Sequence, residues 1–326
     1  MPPPPTDILE TLQDRLLGSL VYTADEVIAA SGTDLSEAGA LWTNLGFPHV
    51  PPAARLFTER DREALASAVA LRTAGLVAAD ATRAVTRVLG QALSRVAASQ
   101  VEALADRLRA ALETVENSAD VDRVTALVTD ILVPSFERFV TYAWRRHLVA
   151  AIQRELVDRR QGTEIVGFAD LVDYTRETRD LPGADLTHLI DRFEHAVYER
   201  VVAHRGRILK VMGDGVMFVM PTPDTAAHAA LGLVAACATD DALLRVRVGL
   251  ASGPVVALEG DLFGETVNRA SRLAGEARPQ TVLADETTGA ALVAHGGFEM
   301  RHLRPRHLKG LGEVGLWVVR AANPGR

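Results

Sequence analysis

The sequence predicts two units of different class, an all-α unit over residues 1–157 followed by an α/β (α+β) unit over residues 158–326. Three observations carry this. From Ile8 to about Leu156, Ala, Leu, Arg and Glu dominate and apolar positions recur every three or four residues, the period of a helix with one buried face. Beyond Arg160 the texture changes to apolar, β-branched runs punctuated by glycine, such as TEIVGFADL, RILKVMGDGVMFVM and LLRVRVGLAS. The chain, at 326 residues, is also longer than the roughly 250 residues at which single cores stop growing.

In the helical half, Pro48, Pro51, Pro52 and Pro134 lack the amide hydrogen that a helix interior needs, so each is expected to end or kink a helix. About six or seven helices are predicted. The last, ERFVTYAWRRHLVAAIQREL (137–156), has room for about five continuous turns. It is expected to act as a connecting lever running into the short polar connector VDRRQGT at 157–163.

In the second half a strand ends at Asp170 in FADL, and helical period returns over Leu186–Val202. Gly213-Asp214-Gly215 is expected to turn a two-stranded hairpin inside KVMGDGVMFVM. The strand PVVALEG leads to a turn holding Asp261, and a helix begins near Thr266 within GDLFGETVNRASRLAG. A closing strand follows Lys309 in HLKGLGEVGLWVV.

With 48% hydrophobic and 24% charged residues the chain has the composition of an ordinary folded protein. Its net charge of −7, with basic pairs only as short as Arg145-Arg146 and Arg159-Arg160, leaves no nucleic-acid footprint. Cys237 is the single cysteine; it sits in the apolar run AALGLVAACA, reads as a small buried hydrophobe, and excludes a disulfide within the chain. MPPPPTDILE has neither a basic stretch nor an apolar core, and no run reaches the roughly 18 apolar residues of a membrane span. A cytoplasmic protein is expected.

The chemistry concentrates in the second half. Asp170 at a strand end and Asp214 at a hairpin tip are, singly, ordinary turn residues. Presented from adjacent strands they would offer hard oxygen ligands of the kind Mg²⁺ takes from a protein. Asn268 and Arg272, at i and i+4, share one helix face, where the guanidinium can fork onto phosphate oxygens and the amide adds a dipole. Lys309, before two glycines, has the profile of a flexible cation held over an anion.

Read in order, FADL, KVMGDGVM, DLFGETVNRASR and LKG resemble the motifs of class III adenylate cyclases. The resemblance implies a ferredoxin-like catalytic domain that turns ATP into 3′,5′-cyclic AMP with two divalent metal ions, Mg²⁺ or Mn²⁺. It implies Asp170 and Asp214 as metal ligands, Lys210 and Asp261 as readers of adenine, Asn268 and Arg272 as stabilisers of the transition state, and Lys309 as the holder of the terminal phosphates. Guanylate cyclases of the family usually carry Glu and Cys where this chain has Lys210 and Asp261. Adenine offers an N6 donor beside an N1 acceptor, which matches an acceptor plus a donor; guanine reverses that pattern. The motif departs mildly, with Phe263 before its glycine and Glu265 after it. Family sites form between two domains head to tail, so an obligate homodimer is implied, with a monomer inactive.

The helical half is similar to the regulatory domain of a group of actinobacterial class III cyclases, in which the domain inhibits the cyclase and pH relieves the inhibition. His49 and His147 are its two histidines and the candidates for sensing pH. The segment YTADEVIAASGTDLSEAGALWTNLGFP with FTERDREAL also resembles the helix-turn-helix of MerR-type regulators, but its second helix is acidic and carries no basic residue. A transcriptional regulator and a non-catalytic nucleotide sensor are the alternative readings.

Overall fold

A computed structural model describes residues 6–51, 53–75, 78–113, 115, 118–158 and 163–322. The chain divides into two compact units, Met1–Leu156 and Val157–Arg326. The connector predicted at 157–163 falls largely on residues 159–162, which lie outside the described residues, as do the leading prolines and Pro52.

The first unit contains α1 (Thr6–Leu17), α2 (Ala24–Ser31), α3 (Leu35–Leu45), α4 (Glu59–Thr73), α5 (Ala79–Glu113), α6 (Ser118–Ala126) and α7 (Val133–Gln153). Local sequence sets these boundaries. Thr23 caps α2 with a reciprocal Glu26 bond, Thr58 caps α4 the same way with Asp61, and Asp34 accepts the Glu37 amide at the start of α3. Gly32 and Gly46 close α2 and α3 in the left-handed conformation. Val27, Ala38, Phe57 and Leu65 form the buried centre of this part.

Pro134, expected to end or kink a helix, stands where the helical run changes type without ending. It lies in the first turn of α7, directly after a π-helical segment, Leu127–Leu132, in which the Val133 amide bonds back to the Val128 carbonyl. A residue without an amide hydrogen cannot make the regular bond one turn back, and the chain widens ahead of it and continues. A second π-helical segment, Arg154–Asp158, follows α7.

The second unit runs β1 (Thr163–Leu171), α8 (Tyr174–Glu177), α9 (Gly183–Ala203), β2 (Arg207–Met212), β3 (Gly215–Met220), α10 (Pro223–Thr239), β4 (Val246–Pro254), β5 (Val256–Leu258), β6 (Asp261–Phe263), α11 (Glu265–Glu276), β7 (Val282–Asp285), α12 (Glu286–His295), β8 (Phe298–Leu308) and β9 (Gly312–Ala321). Seven strands form one sheet in the order β2-β3-β1-β4-β7-β9-β8, and β5 pairs with β6 as a separate hairpin. All pairs are antiparallel except β4 with β7.

Side chains on the two faces of the sheet build two cores. Ile165, Leu171, Phe218 and Leu250 pack with Phe193, Val197 and Val201 of α9, with the alanines of α10 and with Leu292 of α12. On the opposite face Val166, Met217, Val219 and Ala251 pack with Ala270 and Leu273 of α11. β3, buried at all six positions, serves both. Each fully buried aromatic such as Phe193 stabilises by about 1.5–3 kcal/mol. These cores hold β1 and the β2–β3 hairpin in fixed register, which places the chemical side chains.

Candidate active site

Asp170 lies one residue before the end of β1, where it pairs with Gly215 on one side and Arg247 on the other. Asp214 occupies the hairpin turn immediately before that glycine, and its carbonyl accepts the Leu171 amide at 2.9 Å. A Cβ added at Gly215 would stand 3.8 Å from Asp170 Oδ1. The two carboxylates therefore flank one backbone crossing. Partial burial pushes the Asp170 carboxyl above its ordinary value, Arg247 pulls it down, and the neighbouring Asp214 charge pushes it up again. Two carboxylates with mutual repulsion and an open rim suit a hard divalent cation that completes its shell with phosphate and water. Among the described residues no third acidic, histidine or cysteine side chain joins them.

Lys210 projects from β2, and its ammonium bonds directly to the Asp261 carboxylate. Asp261 also accepts the Leu262 amide at 2.9 Å. It is the first residue of β6 rather than part of the turn, which is made by Glu259 and Gly260, both at positive φ. The pair presents a cation and an anion side by side, a donor and an acceptor for one heteroaromatic edge.

Asn268 and Arg272 lie exposed on one face of α11, as the i, i+4 spacing requires. Thr266, Ala270, Leu273 and Ala274 form the buried face. Lys309 stands exposed in the turn between β8 and β9, without a hydrogen bond or ion pair to the other six residues. Within one chain the structure thus gives the pair Asp170 and Asp214, the pair Lys210 and Asp261, the α11 face, and a separate lysine.

A model of the adenylate and guanylate cyclase catalytic domain matches residues 160–321. An adenylate cyclase of Streptomyces coelicolor is 35% identical over 280 residues, covering 83% of this chain and 72% of that protein. The chain belongs to the class III cyclases. An adenylate cyclase of Glutamicibacter nicotianae is 31% identical over 328 residues, covering 94% of this chain and 81% of its own. A pH-sensitive adenylate cyclase of Mycobacterium tuberculosis is 30% identical over 311 residues, covering 91% and 78%. At such coverage the similarity of these cyclases extends through the helical unit.

Sequence reasoning passed over the residue that holds Asp170. Arg247 of β4 donates from Nε at 2.8 Å and from Nη2 at 2.5 Å to Asp170 Oδ2, and from Nη1 at 2.9 Å to the Gly275 carbonyl at the end of α11. In LLRVRVGLAS it reads as the solvent-facing member of an alternating strand. No local signal links it to a carboxylate across the sheet. His49 and His147 in the helical unit are both exposed. No helix among the described residues is long and apolar enough to cross a membrane.

Proposed function

We propose that this adenylate cyclase converts ATP to 3′,5′-cyclic AMP and pyrophosphate at two sites shared between two copies of the chain, under control of its helical unit. The observation that carries the choice of base is the Lys210–Asp261 pair. Asp261 can accept from the adenine N6 amino group while Lys210 donates to N1; guanine would set acceptor against acceptor. The names of the Streptomyces and Glutamicibacter relatives agree with ATP.

In the reaction the ATP 3′-hydroxyl attacks the α-phosphorus in line and pyrophosphate departs. Asp170 and Asp214 would hold two divalent cations, Mg²⁺ or Mn²⁺, which when bound supply polarisation of the α-phosphate and neutralise charge on the leaving group. Arg247 orients the Asp170 carboxylate. Asn268 and Arg272 donate to α-phosphoryl oxygens as charge builds there, and Lys309 holds the terminal phosphates.

Two features support the homodimer. Lys210 and Asp214 sit on one hairpin, with roles at opposite ends of a nucleotide, so one hairpin can serve two sites if the partner supplies the remainder. That hairpin exposes Met212, and the β5–β6 hairpin that carries Asp261 exposes Val256, Leu258 and Phe263, apolar surface that a second copy would cover.

The deciding experiment is incubation of the purified protein with ATP or GTP and Mn²⁺, scoring cyclic product, beside Asp170→Ala and Asp214→Ala. Turnover of ATP lost in both variants is expected. No cyclic product from a verified dimer at any pH sinks the reading. Control by the helical unit, suggested by the pH-sensitive relative, is checked by deleting residues 1–157. An unchanged activity and profile across about pH 5.5–8 would remove it.

A further inference from the structure

We propose that the Arg269–Asp285 ion pair sets the rotation of α11 about its own axis and so aims Asn268 and Arg272. This rests on the reading that those two side chains act on the transition state.

Asp285 ends β7 and is 1% exposed, so its carboxylate needs partners. Oδ1 accepts the Thr288 amide at 2.9 Å, capping α12, and the Ser252 amide of β4 at 3.4 Å. The Ser252 and Thr288 hydroxyls bond each other at 2.7 Å beside it. Oδ2 is left for one ligand from outside this cluster, Arg269 Nη1 at 3.0 Å. Asp285 is thus immobilised by two strands and a helix start, and it holds a residue of α11.

The position of Arg269 makes that hold directional. At about 100° per residue, Arg269 stands on the flank of α11, between the buried face of Thr266, Ala270 and Leu273 and the exposed face of Asn268 and Arg272. A Cβ at Gly249 would lie 2.3 Å from both the Ala270 carbonyl oxygen and the Ala274 amide nitrogen, so at that point α11 rests on bare backbone of β4, and Leu273 is the large side chain of its buried face. Thr266 bonds the Pro254 carbonyl at 2.8 Å at one end, and Arg247 bonds the Gly275 carbonyl at the other. These fix position along the sheet, while Arg269 braces the flank. Glu265, one turn earlier, steers the guanidinium from the other side.

Small rotations matter. With side-chain tips about 6 Å from the helix axis, a roll of about 10° displaces them by about 1 Å. A displacement of about 1 Å in positioned groups costs on the order of 100-fold in rate. Asp285 and Arg269 are accordingly positioning residues that never touch substrate.

The test uses the full chain and compares Arg269→Ala, Asp285→Asn and the double variant for kcat and for KM toward ATP, with melting temperature and dimer content measured on each. Asp285→Asn retains an oxygen for the Ser252 and Thr288 amides and removes only the charge facing Arg269, so it reports even if Arg269→Ala folds poorly. Each single variant is expected to lower kcat tenfold or more with KM within threefold. The double variant should be no more than twofold worse than the poorer single. A kcat within threefold of wild type in a folded Asp285→Asn overturns the proposal, as do equal losses in kcat and KM or additive effects. Asn268→Ala and Arg272→Ala separate it from the reading beneath. If both turn over at the wild-type rate, the reading itself fails. If both are impaired while Arg269→Ala is normal, only the positioning role fails.

Discussion

Arg247 spends two donors on one oxygen of Asp170 and its third on the end of α11. One guanidinium therefore ties the Asp170 carboxylate, proposed above as a metal ligand, to the helix that carries Asn268 and Arg272. Replacing Arg247 by Ala frees the Asp170 carboxylate to rotate and leaves it partly buried without its counter-charge. A fall in kcat/KM of at least tenfold and a higher half-saturating Mn²⁺ concentration are expected, read from metal titrations at fixed ATP.

Base choice should follow the donor and acceptor order at two positions. Lys210→Glu combined with Asp261→Cys removes the adenine-matching pair, and the ratio of kcat/KM for GTP to that for ATP is expected to rise by at least tenfold. Parallel assays with the two nucleotides measure it. An unchanged ratio would place base recognition elsewhere.

The proposed sharing of sites between two copies predicts complementation. Asp214→Ala and Arg272→Ala homodimers should each be inactive. Equal mixing after subunit exchange should restore up to about a quarter of wild-type activity, because half the dimers are mixed and each of those has one intact site. Activity that stays at the level of the separate variants would mean that each chain builds its site alone.

Cys237, 4% exposed, has its thiol pushed up to about 11 by burial and by the nearby Asp240. At pH 8 only about one thiol in a thousand would be ionised, so iodoacetamide should label it only on unfolding. The folded value lies above the unfolded one. The contribution of Cys237 to stability is therefore complete below about pH 9 and is lost as pH rises toward 11. Relative to Cys237→Ala, the native protein should lose stability over that alkaline range, as measured by denaturant melts.

The hairpin at Asp214, the helix from Glu265 and the all-α first half were legible because each follows from a local signal: a turn glycine, an i, i+4 face, an apolar period. What escaped was non-local. Asp261 was expected in a turn because a three-residue strand is too short to show alternation. Arg247 gains its meaning only from β1, and Asp285 only from α11 and β4, contacts that no window of sequence contains. Pro134 was expected to stop or kink a helix, and its effect, a widened turn preceding it, depends on how much surrounding helix resists breaking.

The Asp170–Arg247 contact joins residues 77 apart in sequence, and it also sets an order of events in the making of the molecule. β1 lies centrally, with both neighbours supplied by later chain, and long-range antiparallel pairings form slowly. A ribosome-bound chain that has emerged only through the hairpin carries Asp170 beside Asp214 without the Arg247 counter-charge. Asp170 thus gains its cationic partner late in folding, only after β4 has docked, and until then two carboxylates face each other unrelieved.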